Sequence, residues 1–225
     1  NFFNEDEGYF SSNRKGAKFQ NTEHCCNDIF SFIYLTDSVD TNINYNDVFD
    51  YLPIKLYFHN DDPDFKTNNQ ITTKSYKDSY VSYFLKQPDY EAYNPDLANF
   101  FENILKIQFN NLNKFLERLI IDLAAGKKLE IQIKGHSSPL HDSEYNKKLS
   151  QRRIASVINY LIQFKNGSLK NHVDSGALII RELSYGEDRA SKYVSDDAGQ
   201  KNKSIYSIDA MKERKVEIVD IILKK

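Results

Sequence analysis

The sequence predicts an α+β domain in which helices cover one face of a small mixed sheet, preceded by a short β segment. Two amphipathic stripes carry that reading. Leu97, Phe100, Phe101, Ile104, Leu105, Leu112, Phe115, Leu116, Leu119, Ile120 and Leu123 recur at helical spacing for about seven turns. A second stripe, with Ile154, Val157, Ile158, Leu161 and Ile162, covers roughly 143–164. Around them, four short apolar or alternating segments (54–59, 129–135, 177–186 and 215–223) read as strands. Strands alternating with helices in this order make a layered sandwich.

Each element has a local cause. GYFSSN (8–13) and DIFSFIY (28–34) read as two strands joined by a polar stretch, and so short a unit must lean on something else to bury a core. Residues 36–51, rich in Asn and Asp, read as a linker. IKLYFH (54–59) is a buried strand ended by the turn-forming run NDDPD. In the following insertion, 61–95, Tyr76, Tyr80, Tyr83 and Phe84 fall at helical spacing, and their aromatic rings are expected to pack rather than to present a ligand platform. Asn94-Pro95-Asp96 opens the long helix with a capping side chain, a proline at the first helical position and an acid against the dipole. Gly126 ends it, LEIQIKG (129–135) alternates as a strand, and HSSPLHD is a loop. A polar loop at 187–207 and a turn of helix near 208–213 precede the closing strand KVEIVDIIL.

Composition removes several functions. With 225 residues, 40% hydrophobic and 28% charged, the chain is too apolar for a disordered polymer and long enough for one domain plus part of another. No apolar run reaches the roughly 18–20 residues that span a bilayer, and NFFNEDEGYF has neither the basic start nor the apolar core of a secretory signal. A net charge of −2 argues against nucleic acid, yet it sums a net of −7 over 1–95 and +5 over 96–225. Any anion site therefore belongs to the second part.

Catalytic and metal signatures are missing. Cys25 and Cys26 are adjacent, so a disulfide between them would be strained, and with His24 they fall short of a closed zinc set. They are expected to be plain thiols. GHSS (135–138) sets a His beside two serines without a third orienting group, and His59, His136, His141 and His172 lack metal-ligand spacing. The chain is not expected to be an enzyme or to carry a metal or cofactor.

The informative stretch is 135–161, GHSSPLHDSEYNKKLSQRRIASVINYL. Asn146, Leu149 and Arg153 share one helix face near the end of the preceding loop. An arginine fork, loop amides and a positive helix end together suit a carboxylate. Arg152, about 100° further round, is expected to face solvent. The competing structural account pairs Arg153 with Glu144 or Glu217.

This stretch resembles the peptidoglycan-binding domain of the OmpA C-terminal family, whose signature reads roughly G-[HY]-[TS], [YF]-N-x-x-L-[SG]-x-x-R and [SA]-V-x-x-[YF]-[LF]. Its counterparts are Gly135-His136-Ser137, Tyr145-Asn146, Leu149-Ser150, Arg153, Ser156-Val157 and Tyr160-Leu161. The family's closing R-R-V-E-I strand is matched by Arg214-Lys215-Val216-Glu217-Ile218, and LYFHNDDPD looks like its opening strand. The resemblance covers about 52–223 and implies a βαβαβ(β) sandwich over 52–225, with insertions at 61–95 and 187–207. GYFSSNR and NDIF are similar to the end of a WD-like propeller blade, which would make 1–35 a partial blade and 36–51 the linker; an ordinary hairpin explains them equally well.

The resemblance implies a site. In the family, the helix arginine takes a carboxylate of diaminopimelate and a loop aspartate takes its ammonium. Arg153 matches the arginine, while the aspartate position holds Ser138, losing a charge-assisted contact worth about 1–2 kcal/mol. Asp142 and Asp61 are the expected substitutes, with Asn146, Leu149 and Arg214 completing the set. An Arg153→Ala change is expected to lose wall binding without loss of thermal stability. The upstream segment and the insertions are similar to a branch found with type IX secretion and gliding. That implies a periplasmic, outer-membrane-associated anchor, a fragment whose lipid attachment lies upstream, with peptidoglycan and envelope proteins as partners. The alternative is a scaffold subunit that keeps the fold and makes protein contacts without binding the wall.

Overall fold

The computed structural model describes residues 7–12, 28–33, 47–188, 194–197 and 199–224. The chain divides into two units, Asn1–Asn46 and Asp47–Lys225. In the first, β1 (Glu7–Ser12) and β2 (Asp28–Ile33) pair antiparallel. His24, Cys25, Cys26 and most of the 36–51 segment lie outside the described residues. Asp47 opens the second unit by capping a 3-10 turn, Val48–Tyr51, which buries Val48.

The second unit is built on β3 (Ile54–Tyr57), β4 (Lys128–His136), β5 (Leu178–Gly186) and β6 (Lys215–Lys224), in the order β3-β6-β4-β5. β4 and β5 run parallel, and β6 is antiparallel to β3 and β4. A parallel pair needs a long crossover, and α5 (Ser143–Gly167) supplies it. The other helices are α1 (Tyr76–Phe84), α2 (Gln87–Glu91), α3 (Ala98–Phe100), α4 (Lys106–Ala124), α6 (Lys170–Asp174), α7 (Lys201–Ser204) and α8 (Ile208–Glu213).

Alternation decides which face is buried. Leu129, Ile131 and Ile133 of β4 point into the core beneath α4 and α5. Val216 and Ile218 of β6 do the same, but so does Ile221, which breaks the alternation. The register against β4 shifts there: Gln132 faces Asp220 and Ile133 faces Ile218. The extra residue, Val219, is a bulge that returns Ile221 to the core side. The other face is charged: Glu130 lies 3.3 Å from Arg181 and 2.8 Å from Lys224.

The long helix of the sequence is less regular than its stripe suggests. Asn94 caps a 3-10 turn, Pro95–Leu97, and a π-helical stretch, Phe101–Leu105, separates α3 from α4. A π bulge rotates the faces on either side, and here it divides the helix between two cores. Leu112, Phe115, Leu116, Leu119 and Leu123 meet the sheet. Leu97, Phe100, Phe101 and Leu105 instead meet Tyr57, Tyr83, Tyr90 and Met211 in an aromatic cluster. Tyr76 and Tyr83 of α1 are fully buried, so the tyrosines of the insertion pack as expected. α5 departs from helical geometry at Phe164, where its apolar stripe runs out.

Gly135 marks the closest approach of β4 to α5. A Cβ there would lie 2.6 Å from the Ser150 carbonyl oxygen and 2.9 Å from the Ile154 side chain. Gly135→Ala must push backbone aside and is expected to destabilise the domain by about 1–3 kcal/mol, read as a lower midpoint in denaturant. An unchanged midpoint would show that the glycine is not required by packing.

Candidate functional site

At one end of the sheet, the loop after β3, the loop after β4, the start of α5 and the segment before β6 converge on three arginines. Arg152, Arg153 and Arg214 are each 0% exposed. A buried guanidinium must satisfy its donors or forfeit several kcal/mol, and here main-chain carbonyls accept most of them. Arg153 Nε donates to Asp62 O at 3.0 Å, Nη1 to His136 O at 2.9 Å and Nη2 to His59 O at 3.4 Å. Arg152 donates to Pro63 O, Thr67 O and Asn69 O at 2.6–3.0 Å. Arg214 donates to Phe58 O, Ser204 O, Ile205 O and the Tyr90 hydroxyl.

Three expectations are corrected by this geometry. Arg152 does not face solvent, because the start of the 61–95 insertion folds over that side of α5 and takes its donors. Arg153 pairs with neither Glu144 nor Glu217: Glu144 binds Lys148, and Glu217 lies 3.2 Å from both His136 and Lys215. An Arg153→Ala change would strip three carbonyls of their donor, so its stability cannot stay at the wild-type level.

Of the remaining predicted residues, Asp61 approaches an arginine and the others are engaged elsewhere. Asp61 is 1% exposed and committed internally: Oδ1 receives the Tyr145 hydroxyl, Oδ2 receives Lys66 N, and Arg152 Nη2 stands 3.9 Å away. Asp142 is exposed and caps α5 by accepting from Tyr145 N at 2.9 Å. Asn146 is buried, with Nδ2 donating to His141 O and Glu187 Oε2. Ser138 and Leu149 are buried on the loop and on α5. Three participants were not among the expected site residues: Tyr145, a motif position that proves to bond Asp61, Glu187 on Asn146, and Asp62 beside Arg153. Asp62 is one residue from a named candidate, and only the loop geometry separates the two.

Charge here is unequal. Three guanidiniums face two carboxylates, Asp61 and Asp62. Burial first, and then Arg214, hold Arg153 down to about 9, still protonated at neutral pH. Burial raises Asp62. Burial, then Arg214, Lys86 and Arg153, push His59 down to about 3, so the ring is neutral and contacts the Tyr90 hydroxyl at 2.9 Å. Among the buried side-chain atoms that make no hydrogen bond are a donor, Arg152 Nη2, whose nearest charge is Asp61 at 3.9 Å, and two acceptors, Asp62 Oδ2 and Asn146 Oδ1. Such atoms are uncommon enough to call for an explanation.

No group of three or more His, Cys, Asp or Glu that could hold a metal occurs among the described residues. No helix among them is long and apolar enough to cross a membrane. A model of the OmpA family matches residues 103–203, which contain β4, α5 and β5 and so Arg152, Arg153, Asn146 and Ser138. No curated protein sequence matches the chain.

His59 gives the site a pH signature. Its folded pKa of about 3 lies below the ordinary 6.5. The stability it contributes is therefore complete above pH 6.5 and is lost as pH falls from there toward 3, at no more than about 1.4 kcal/mol per pH unit. In a His59→Gln variant, stability measured by denaturant titration should decline less steeply between pH 6.5 and 4 than in the wild type. Parallel declines would mean that His59 is accessible to protons in the folded state.

Proposed function

We propose that the second unit binds peptidoglycan non-covalently, through the zwitterionic end of a diaminopimelate-type stem peptide. OmpA family domains generally bind this polymer, and the matched region carries the arginines. The observation that supports the chemistry is the set of buried atoms that make no hydrogen bond. A carboxylate is suited to Arg152 Nη2 and to Arg153, whose longest carbonyl contact, to His59, is the one most readily exchanged. An ammonium is suited to Asp62 Oδ2 and Asn146 Oδ1. Asp62 then takes the part that the family gives to the position held here by Ser138, while Asp61 holds Tyr145 and Lys66 in place. In this reading the domain works as a periplasmic anchor between the wall and an outer-membrane-associated complex. The upstream strands, as a blade remnant of a type IX secretion protein, belong to the same proposal.

One observation favours a second reading. Arg153 is 0% exposed beneath the loop carbonyls, which suits a scaffold whose pocket has closed and which makes only protein contacts. Co-sedimentation with purified sacculi separates the two. Wall binding predicts pelleting of the wild type, release by free meso-diaminopimelate, and affinity weakened on the order of tenfold in Asp62→Asn. Ser138→Asp, which restores the family's charge, should bind more tightly. Wild-type protein left in the supernatant would establish the scaffold reading.

A further inference from the structure

A cavity of about 610 Å³ opens where the two insertions meet, lined by none of the three arginines. Tyr93, from the end of the first, stacks on Tyr206, from the second, with ring centroids 3.9 Å apart and planes 10° from parallel. Leu97 and Phe100, both buried, give the cavity an apolar part. The amides of Asn99 and Asn202 line it as well, and Asn99 is oriented by a hydrogen bond from Asn103. Among the described lining residues the one charged side chain is Asp96. The volume falls in the range of small-molecule sites, about 300–1,000 Å³.

We propose that this cavity is a carbohydrate subsite that takes an uncharged saccharide. The lining selects that class step by step. With no lysine or arginine among the described lining residues, nothing there neutralises a phosphate or carboxylate. A purely apolar ligand would take the Asn202 amide and the Asn99 Nδ2 group out of water without replacing their hydrogen bonds. A sugar ring offers both surfaces: a patch of C–H groups that carries partial positive charge toward an aromatic face, and equatorial hydroxyls that exchange hydrogen bonds with amides.

The cavity is also held in shape before any ligand arrives. Arg214 grips the Ser204 and Ile205 carbonyls, two of the three residues between Asn202 and Tyr206. Tyr90, whose hydroxyl receives Arg214 Nη2, packs edge-on against Tyr206 with centroids 4.8 Å apart. An ordered stack reduces the entropy lost on binding. The inference stands apart from the stem-peptide reading, since it uses neither Arg153 nor a carboxylate.

The test is an NMR titration of the full chain with two neutral probes, chitotriose and cellotriose. They distinguish an N-acetylated glycan, such as that of the wall, from a plain glucan. At least one probe should bind saturably, with shifts centred on Tyr93, Asn99, Asn202 and Tyr206. Tyr93→Ala should weaken it on the order of tenfold, and Asn202→Ala should weaken it as well. Tyr93 is 51% exposed, so Tyr93→Ala should keep the wild-type melting temperature. Absence of saturable binding by both probes, or binding unaltered in both variants, would overturn the proposal.

Discussion

Three guanidiniums buried at one end of a sheet are the constraint on which the rest of this domain depends. Water cannot reach them, so their donors must be met from within. The acceptors are chiefly carbonyls of segments that have no regular structure of their own. Arg152 and Arg153 shape the loop after β3, Arg153 also ties it to the end of β4, and Arg214 binds the segment before β6. Asp61, Asp64 and Lys66 hold left-handed φ values of 59°, 58° and 56°. Non-glycine residues keep that conformation at a cost of about 1–3 kcal/mol each. The carbonyls clamped between and beside them explain how the strain persists.

The same arginines set the electrostatics. Two carboxylates do not neutralise three cations, and the surplus adds to burial, the larger cause, in keeping His59 neutral and lowering Arg153. In the proposed reading the surplus attracts an anion, and Asp62 Oδ2 and Asn146 Oδ1, which make no hydrogen bond, accept from a donor. A zwitterion satisfies both demands at once, which a simple anion does not.

Much of this was legible before the fold was known, for physical reasons. Arg153, Asn146 and Leu149 share a helix face, and helical geometry alone brings them together. The strands and both helical stripes declare themselves by period, and Asn94 and Gly126 mark helix ends by their chemistry. Arg152 was misplaced because rotation about a helix says only which way a side chain points, and the insertion covers the side that rotation assigns to water. The π bulge was hidden because Phe100 and Phe101 both look apolar on either face. Asp61 and Asp62 differ only in a left-handed turn that no composition rule reveals, and Glu187 reaches Asn146 across 41 residues of chain.

The central claim is that the buried arginines are both the clamp of the loops and the receptor for a carboxylate. Arginine Nε–H resonances in an isotope-labelled protein report on both roles. Before ligand is added, the Arg152 and Arg153 signals should exchange slowly with water, as buried and bonded groups do. Titration with meso-diaminopimelate should then shift them saturably while the Arg214 signal stays nearly fixed. Slow exchange with no movement of Arg152 or Arg153 at saturating diaminopimelate would contradict the account, leaving the arginines as clamps alone.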